Sequence, residues 1–176
     1  MFSSKKIARK NVRDSEFVYR VIKISRVSNT RAGGRKMSVS VLVVIGNQKG
    51  IIGLGLGNDI EMKLAEAKAL KMAQNNLYSI PIKKVMTPSG ERSTIHHLTE
   101  GSWCSTNVLL LSAKSGTSVV GGPVIRAFCE CLGISDLVSK VHGSSNPHNV
   151  SKAILDALMK IKTKGYYTSL LGISNS

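Results

Sequence analysis

The feature that most constrains this chain is the stretch from Arg26 to Gly57. It holds the loop Arg26-Val-Ser-Asn-Thr-Arg-Ala-Gly-Gly-Arg-Lys36, then the β-rich run Met37 to Ile45, then Gly50-Ile-Ile-Gly-Leu-Gly-Leu-Gly57. The central run is too apolar to be exposed on both faces, so it belongs in a sheet covered on at least one side. Gly46-Asn-Gln-Lys-Gly50 predicts a tight hairpin turn into a strand from Ile51 to Leu56. Val18 to Val27 predicts the strand that precedes the loop, which makes three antiparallel strands in a row. The loop carries no carboxylate. Gly33 and Gly34 let its backbone take positive φ and approach a partner closely. Arg26, Arg31, Arg35 and Lys36 offer charged forks and a point charge that suit phosphate.

The charge of the whole chain agrees with that partner. Of 176 residues, 25 are Lys or Arg and 10 are Asp or Glu, a net +15. Such an excess points to nucleic acid or another anionic surface. Residues 1 to 36 hold 11 of the cations and 2 of the acids, so the N-terminal fifth carries +9. The arm from 1 to 16 is therefore expected to thread into RNA; the plainer alternative is a solvated tail. No run approaches the ~18 apolar residues a spanning helix needs, and Met1 to Arg13 lacks the apolar core of a secretory signal. The expectation is a soluble protein with no membrane contact, although the basic, acid-free Met1 to Arg13 also fits the remnant of an organelle transit peptide. Cys104, Cys129 and Cys131 are odd in number and read as small buried hydrophobes in a reducing compartment.

Organisation along the chain suggests two units between tails. Asn58 followed by Glu61 resembles a capping box, and strong helix formers continue from there to about Leu77. Met62, Ala65, Ala69 and Ala73 would lie against the sheet, their small size permitting close packing. A β-β-β-α unit thus spans 17–78. The second unit, 79–164, opens with a linker bounded by Pro81 and Pro88 and turns at Pro88-Ser-Gly90. Strands are predicted over Ser93 to Leu98, Thr106 to Ala113 and Asp136 to Val141. One helix begins at Pro123 after Gly121-Gly122, turns Val124, Ala127, Phe128 and Cys131 inward, and stops at Gly133. Another follows Gly143-Ser-Ser-Asn-Pro147, with Val150, Ala153, Ile154, Ala157, Leu158 and Ile161 at helical spacing. Residues 165–176 show no strong pattern and are expected to be a short tail. The fold class is α+β, a β-β-β-α domain followed by a mixed α/β domain.

Catalytic and cofactor motifs fare poorly. Gly53-x-Gly55-x-Gly57 has the wrong spacing for a dinucleotide turn and its strands are hairpin-linked rather than parallel, so the glycines are expected to serve strand twist and close backbone approach. His96-His97, His142 and His148 lack a third ligand at metal spacing. No nucleophile elbow accompanies Ser, His and Asp. No catalytic residue, cofactor or metal is assigned. Gly143-Ser144-Ser145-Asn146 has two readings, ordinary helix capping or a phosphate contact, and Lys140 and His142 just before it favour the second.

Six blocks, in order, resemble the small-subunit ribosomal protein five (S-five) family: Arg26-Val-Ser, Ala32-Gly-Gly-Arg35, Val43-Val-Ile-Gly46, Lys49-Gly50 with Gly53-x-Gly-x-Gly57, Gly121-Gly122 with Arg126-Ala127, and Gly143-Ser-Ser-Asn-Pro-x-Asn149. The resemblance covers about Tyr19 to Lys162. It implies a double-stranded-RNA-binding-like N-terminal domain and a C-terminal domain with a left-handed βαβ crossover, both seated on small-subunit rRNA. It also implies a place near the mRNA entrance channel beside small-subunit proteins four and eight, with Asn29 through Arg35 linked to decoding accuracy. The chain departs from the family after Gly57, where Asn58, Asp59 and Glu61 replace a basic helix start.

The function expected is a structural, rRNA-binding component of the small ribosomal subunit that supports assembly and translational accuracy by positioning RNA. Its expected contacts are Arg20, Lys23, Arg26, Asn29, Arg31, Gly33, Gly34, Arg35, Lys36 and Lys49, with Lys140, Ser144 and Asn146 in the second unit. The alternatives are a double-stranded-RNA-binding module acting outside the ribosome, or a phosphate-handling enzyme using Gly121-Gly122. The expected location is the ribosome of a bacterial cytoplasm, or of a mitochondrion or plastid.

Overall fold

The computed structural model describes residues 17–88 and 90–172, so the expected basic arm and the last four residues lie outside it. The first sheet is built from β1 (Val18–Arg31), β2 (Gly34–Gly46), β3 (Ile51–Asp59) and β4 (Leu77–Ser79), in that spatial order and antiparallel throughout. β1 and β2 run further than their apolar cores alone suggest, because pairing continues through the polar stretch until only Ala32 and Gly33 remain between Arg31 and Gly34. At the other end of β2, the side chain of Asn47 accepts the N–H groups of Lys49 and Ile51 at 2.9 and 3.0 Å, which fixes the turn into β3.

Helix α1 (Met62–Asn75) lies on one face of this sheet. The capping box does not form: Asn58 stays in the ladder opposite Ser40, and the helix starts after Glu61, whose side chain caps nothing. Strand pairing satisfies the backbone there before a cap can. The helix also stops at Asn75, since Leu77 is taken into β4. Ala65, Ala69 and Ala73 are buried as expected, whereas Met62 is exposed. A Cβ on Gly53, Gly55 or Gly57 would run into the helix backbone at Ala73, Ala69 and Ala65 respectively. The glycines of β3 are therefore the floor on which α1 rests, and no phosphate-sized space separates strand from helix.

The continuous apolar run of β2 is buried on both sides. Val41, Val43 and Ile45 pack with the three alanines and Leu77. Val44 faces the other way, into a larger core shared with Ile125, Phe128 and Leu132. Those residues belong to α2 (Pro123–Leu132), which packs against β1 and β2 and thus ties the first sheet to the rest of the chain. The tie is tight, because the N–H of Gln48 donates to the Cys131 carbonyl at 2.9 Å and a Cβ on Gly46 would meet that same carbonyl.

Beyond a two-stranded hairpin of β5 (Lys83–Thr87) and β6 (Gly90–Thr94), the second large sheet has the order β7-β8-β10-β9. Its strands are β7 (Thr99–Trp103), β8 (Thr106–Ser112), β9 (Val119–Val120) and β10 (Leu137–Gly143). β9 and β10 are parallel and joined through α2, a βαβ unit, while the other pairs are antiparallel. The strand expected over Ser93 to Leu98 ends at Thr94, and β7 follows where none was expected. Gly101 of β7 sits against Ala153 and Ala157 of α3 (Pro147–Met159), so the glycine-on-alanine contact of the first sheet recurs in the second. In β8, Val108 and Leu110 are buried but Leu109 and Leu111 are only half-buried, so this strand is covered fully on one face alone.

Helix α2 has its proline in the first turn and ends at Gly133 (φ 81°), whose N–H donates to Cys129 at 2.8 Å. Its buried side is Ile125, Phe128, Cys129, Cys131 and Leu132, with Val124 and Ala127 only partly covered. The expected tail contains α4 (Lys164–Leu170). Burial pushes the Cys129 thiol up to about 12 and that of Cys131 to about 11, with Glu130 adding to both. Cys104, also expected to be buried, is exposed.

Candidate nucleic-acid interface

At the end of the β1–β2 ladder, Asn29 pairs with Lys36, Thr30 with Arg35, and Arg31 with Gly34. Gly33 has φ 98° and Gly34 φ 142°, values that side-chain-bearing residues rarely adopt. A Cβ at either position would meet no atom within 4 Å, so the requirement is conformational and the surroundings of the turn are open. Strand alternation places Asn29, Arg31 and Lys36 on one face of the hairpin and Arg26 and Arg35 on the other. The tip therefore presents cations in both directions. All of these residues are exposed, and among the described residues none of Arg26, Arg31, Arg35 and Lys36 takes part in an ion pair.

Asn29, Arg31 and Lys36 also line a shallow concavity of about 330 Å³ with Ser38, Asn58, Asp59 and Ile60. Ser38 is a polar contributor that sequence reasoning did not single out; its pairing opposite Val27 gave no hint of it. Asp59, one of two acids in the stretch expected to depart from the family pattern, is neutralised. Its carboxylate pairs with Lys68 at 2.5 Å and accepts the N–H of Ile60 at 2.7 Å. The hydrogen bond from Lys68 holds the Asp59 carboxyl below the usual carboxylate range, and the Ile60 N–H acts in the same direction.

The remaining expected contacts are spread more widely. Arg20 and Lys23 share the face of Asn29 further down β1, and Arg20 donates through Nε to Glu130 of α2 at 2.6 Å. Lys23 is close enough to His148 for its charge to help hold that imidazole below its ordinary value, behind the larger effect of burial. Lys49 lies at the opposite end of β2, a strand of 13 residues, roughly 40 Å from the tip at ~3.3 Å per residue. It lines a groove of about 610 Å³ together with Lys84, Glu91, Arg92 and Glu130, in which Lys84 and Glu91 pair at 2.8 Å. Lys140 stands exposed on β10 opposite Leu109.

Ser144 and Asn146 have structural partners. The Asn146 side chain caps α3 by accepting the N–H of His148 at 3.3 Å, and Ser144 Oγ accepts the N–H of Asn146 at 3.3 Å. The Ser144 N–H donates to Ser105 and its carbonyl accepts from Thr106 Oγ1, so this corner is locked to the second sheet. Gly121, the basis of the phosphate-handling alternative, packs against Ser139 Oγ.

Among the described residues no group of His, Cys, Asp or Glu is arranged to hold a metal, and no helix is long and apolar enough to cross a membrane. What the geometry offers is a long hairpin with an open glycine turn and, on both faces, cations that form no ion pair among the described residues. Such an arrangement suits a polyanion, whose phosphates can be held by position.

Comparison with known proteins covers most of the chain. Residues 17–81 match the family model described as ribosomal protein S5, N-terminal domain, and residues 101–167 match ribosomal protein S5, C-terminal domain. The small ribosomal subunit protein uS5 of Ehrlichia ruminantium (strain Gardel) is 40% identical over 147 residues, which is 84% of this chain and 80% of that protein. That of Bartonella tribocorum is 42% identical over 146 residues (83% and 76%), and that of Bacteroides thetaiotaomicron 38% over 161 (92% and 89%). With a β-β-β-α unit bearing the cationic hairpin, a βαβ unit behind it, and both halves matched in the same order, the chain belongs to the ribosomal protein S5 family.

Proposed function

We propose that the chain holds rRNA in the small ribosomal subunit through the β1–β2 hairpin, with Arg26, Asn29, Arg31, Arg35 and Lys36 on phosphates and Gly33-Gly34 allowing the backbone to come close. As a ribosomal S5 protein it acts by holding RNA and protein in place, not by catalysis. The single observation that carries the proposal is the two-faced tip, whose cations are spent on no carboxylate among the described residues. Arg20 and Lys23 extend the same face, with Arg20 shared between RNA and Glu130. Lys49, Lys140, Ser144 and Asn146 are further contacts on separate parts of the surface. The family resemblance supports a position near the mRNA entrance channel with small-subunit proteins four and eight as neighbours. The relatives are bacterial, which favours the ribosome of a bacterial cytoplasm over that of a mitochondrion or plastid.

Sedimentation of the tagged chain on a gradient tests the assignment: it is expected with small subunits, and a chain that sediments alone would instead be a free RNA-binding module. The interface is tested by Arg31→Ala, Arg35→Ala and Lys36→Ala combined. Six neutralised phosphates make wild-type affinity for an rRNA fragment fall roughly a thousandfold between about 50 and 200 mM salt, and the triple variant should bind more weakly with a shallower slope. Unchanged affinity and slope in the variant would remove the tip from the interface.

A further inference from the structure

β7 ends the second sheet, and among the described residues no strand pairs with its outer edge. Its backbone is nevertheless occupied. The N–H of Ser102 donates to Asp156 Oδ2 at 3.1 Å, and the carbonyl of Glu100 accepts from Lys160 Nζ at 3.1 Å. Asp156 and Lys160 lie one turn apart on α3 and pair with each other at 2.7 Å. Glu100 and Ser102 are two positions apart in the strand, so the two bonded groups lie along the same edge.

The helix can reach this edge because Gly101, between the two residues, rests directly on the α3 backbone at Ala153 and Ala157. At the end of α3 the Lys162 N–H donates to His97 Nε2 at 3.1 Å, which holds the approach to β7 against the same helix. An exposed ion pair of this kind contributes little to stability by itself. Here each member also takes one backbone group of an edge strand, and an edge left bare is a template for pairing with another chain.

Strand geometry identifies the chain that these contacts keep away. If two copies were paired antiparallel through β7 about a twofold axis at Gly101, Glu100 of each would stand opposite Ser102 of the other, and each Ser102 N–H would face a Glu100 carbonyl. Those are the two groups that Asp156 and Lys160 already hold. Both strand residues are exposed, so no other part of the fold covers them.

We infer that Asp156 and Lys160 form a guard that closes the β7 edge against β7 of a second copy. The guard acts on the chain before any partner is bound, and neither it nor its test depends on the rRNA reading.

Sedimentation velocity of the full chain without RNA, over a wide range of concentration, tests it. Asp156→Ala combined with Lys160→Ala removes both contacts while placing a strong helix former at each position. The unmodified chain should sediment as a monomer throughout, and the double variant should move toward the dimer as concentration rises. Adding Ser102→Pro to the double variant deletes the N–H that the dimer needs, at a strand edge where proline is tolerated, and should return it to monomer. Non-specific aggregation of a damaged fold would not be cured by a further substitution of that kind. Should the double variant fail to fold, Lys160→Met, which removes only a half-exposed ammonium, takes its place in the same comparisons. A variant that stays monomeric, one whose association persists with Ser102→Pro, or an unmodified chain that associates equally strongly would each overturn the inference.

Discussion

Gly55 of β3 lies directly under Ala69 of α1, and the Ala69 carbonyl oxygen occupies the space a Cβ on Gly55 would need. The same relationship joins Gly57 to Ala65 and, in the second sheet, Gly101 to Ala153. Adding one methyl group at Gly55 must lift the helix off the sheet, since the atoms in the way are backbone. Gly55→Ala is expected to destabilise the protein by about 3 kcal/mol, the upper end of overpacking costs, read as a lower denaturant midpoint with little change in slope.

Gly34→Ala makes the contrasting case. No atom obstructs a methyl there, and the cost is the left-handed backbone alone, about 1–2 kcal/mol. Stability should fall less than in Gly55→Ala, while affinity for an rRNA fragment falls because the turn relaxes. Equal losses of stability in the two variants would contradict the distinction between a packing glycine and a conformational one.

Asp136 is buried, accepts the N–H groups of Gly116 and Ser118 at 3.0 and 2.8 Å, and faces Arg92 at 3.2 Å. Removing the carboxylate strands a cation and two loop donors together. Asp136→Ala should cost about 3 kcal/mol, and hydrogen exchange should rise first in residues 115–118.

The pH dependence follows from two histidines. Burial, then Lys23 and Lys152, hold His148 below the ordinary imidazole value of 6.5; burial, then Lys83 and His97, do the same for His96. The unfolded chain takes up these protons first as pH falls, so stability rises with pH through this window. The contribution is complete above about 6.5 and is lost as pH drops through the lower folded values. Urea midpoints measured between neutral and mildly acidic pH should fall accordingly, and His148→Gln should flatten part of the slope.

Thiol chemistry separates the three cysteines. Cys104 is exposed, whereas burial keeps Cys129 and Cys131 protonated. A chromogenic disulfide reagent should titrate one thiol in the native protein and all three in denaturant. Fast native reaction of a second thiol would mean that α2 leaves the sheet more readily than its packing indicates.

Local chemistry made much of this structure legible. The unbroken apolar run of β2 called for cover on at least one face, and the fold covers both; Pro123 and Gly133 bracketed α2, and the spacing of Val150 to Ile161 marked α3. What escaped was decided by distant partners. Thr-Glu-Gly-Ser-Trp103 has no strand-like alternation of apolar residues and becomes β7 through pairing with β8 and the fit of Gly101 against α3. Asn58 looks like a helix cap until β2 claims it. For the interface, residue types were visible but neighbours were not. Lys49 stands only 13 positions after Lys36 in sequence, yet the length of β2 puts it at the far end of the sheet, and the neutralisation of Asp59 depends on a lysine two turns into the following helix.

β1 is the outermost strand of its sheet, and among the described residues nothing pairs with its free edge. A bare edge of this length, flanked by exposed Val21, Ile24 and Val27, invites a second copy to zip alongside it. Arg20, Lys23, Arg26 and Arg31 on that same strand oppose such pairing by like-charge repulsion. If the proposed rRNA contact is right, one set of charges has two uses: like charge keeps free chains apart along the bare edge, and binding to rRNA then neutralises it.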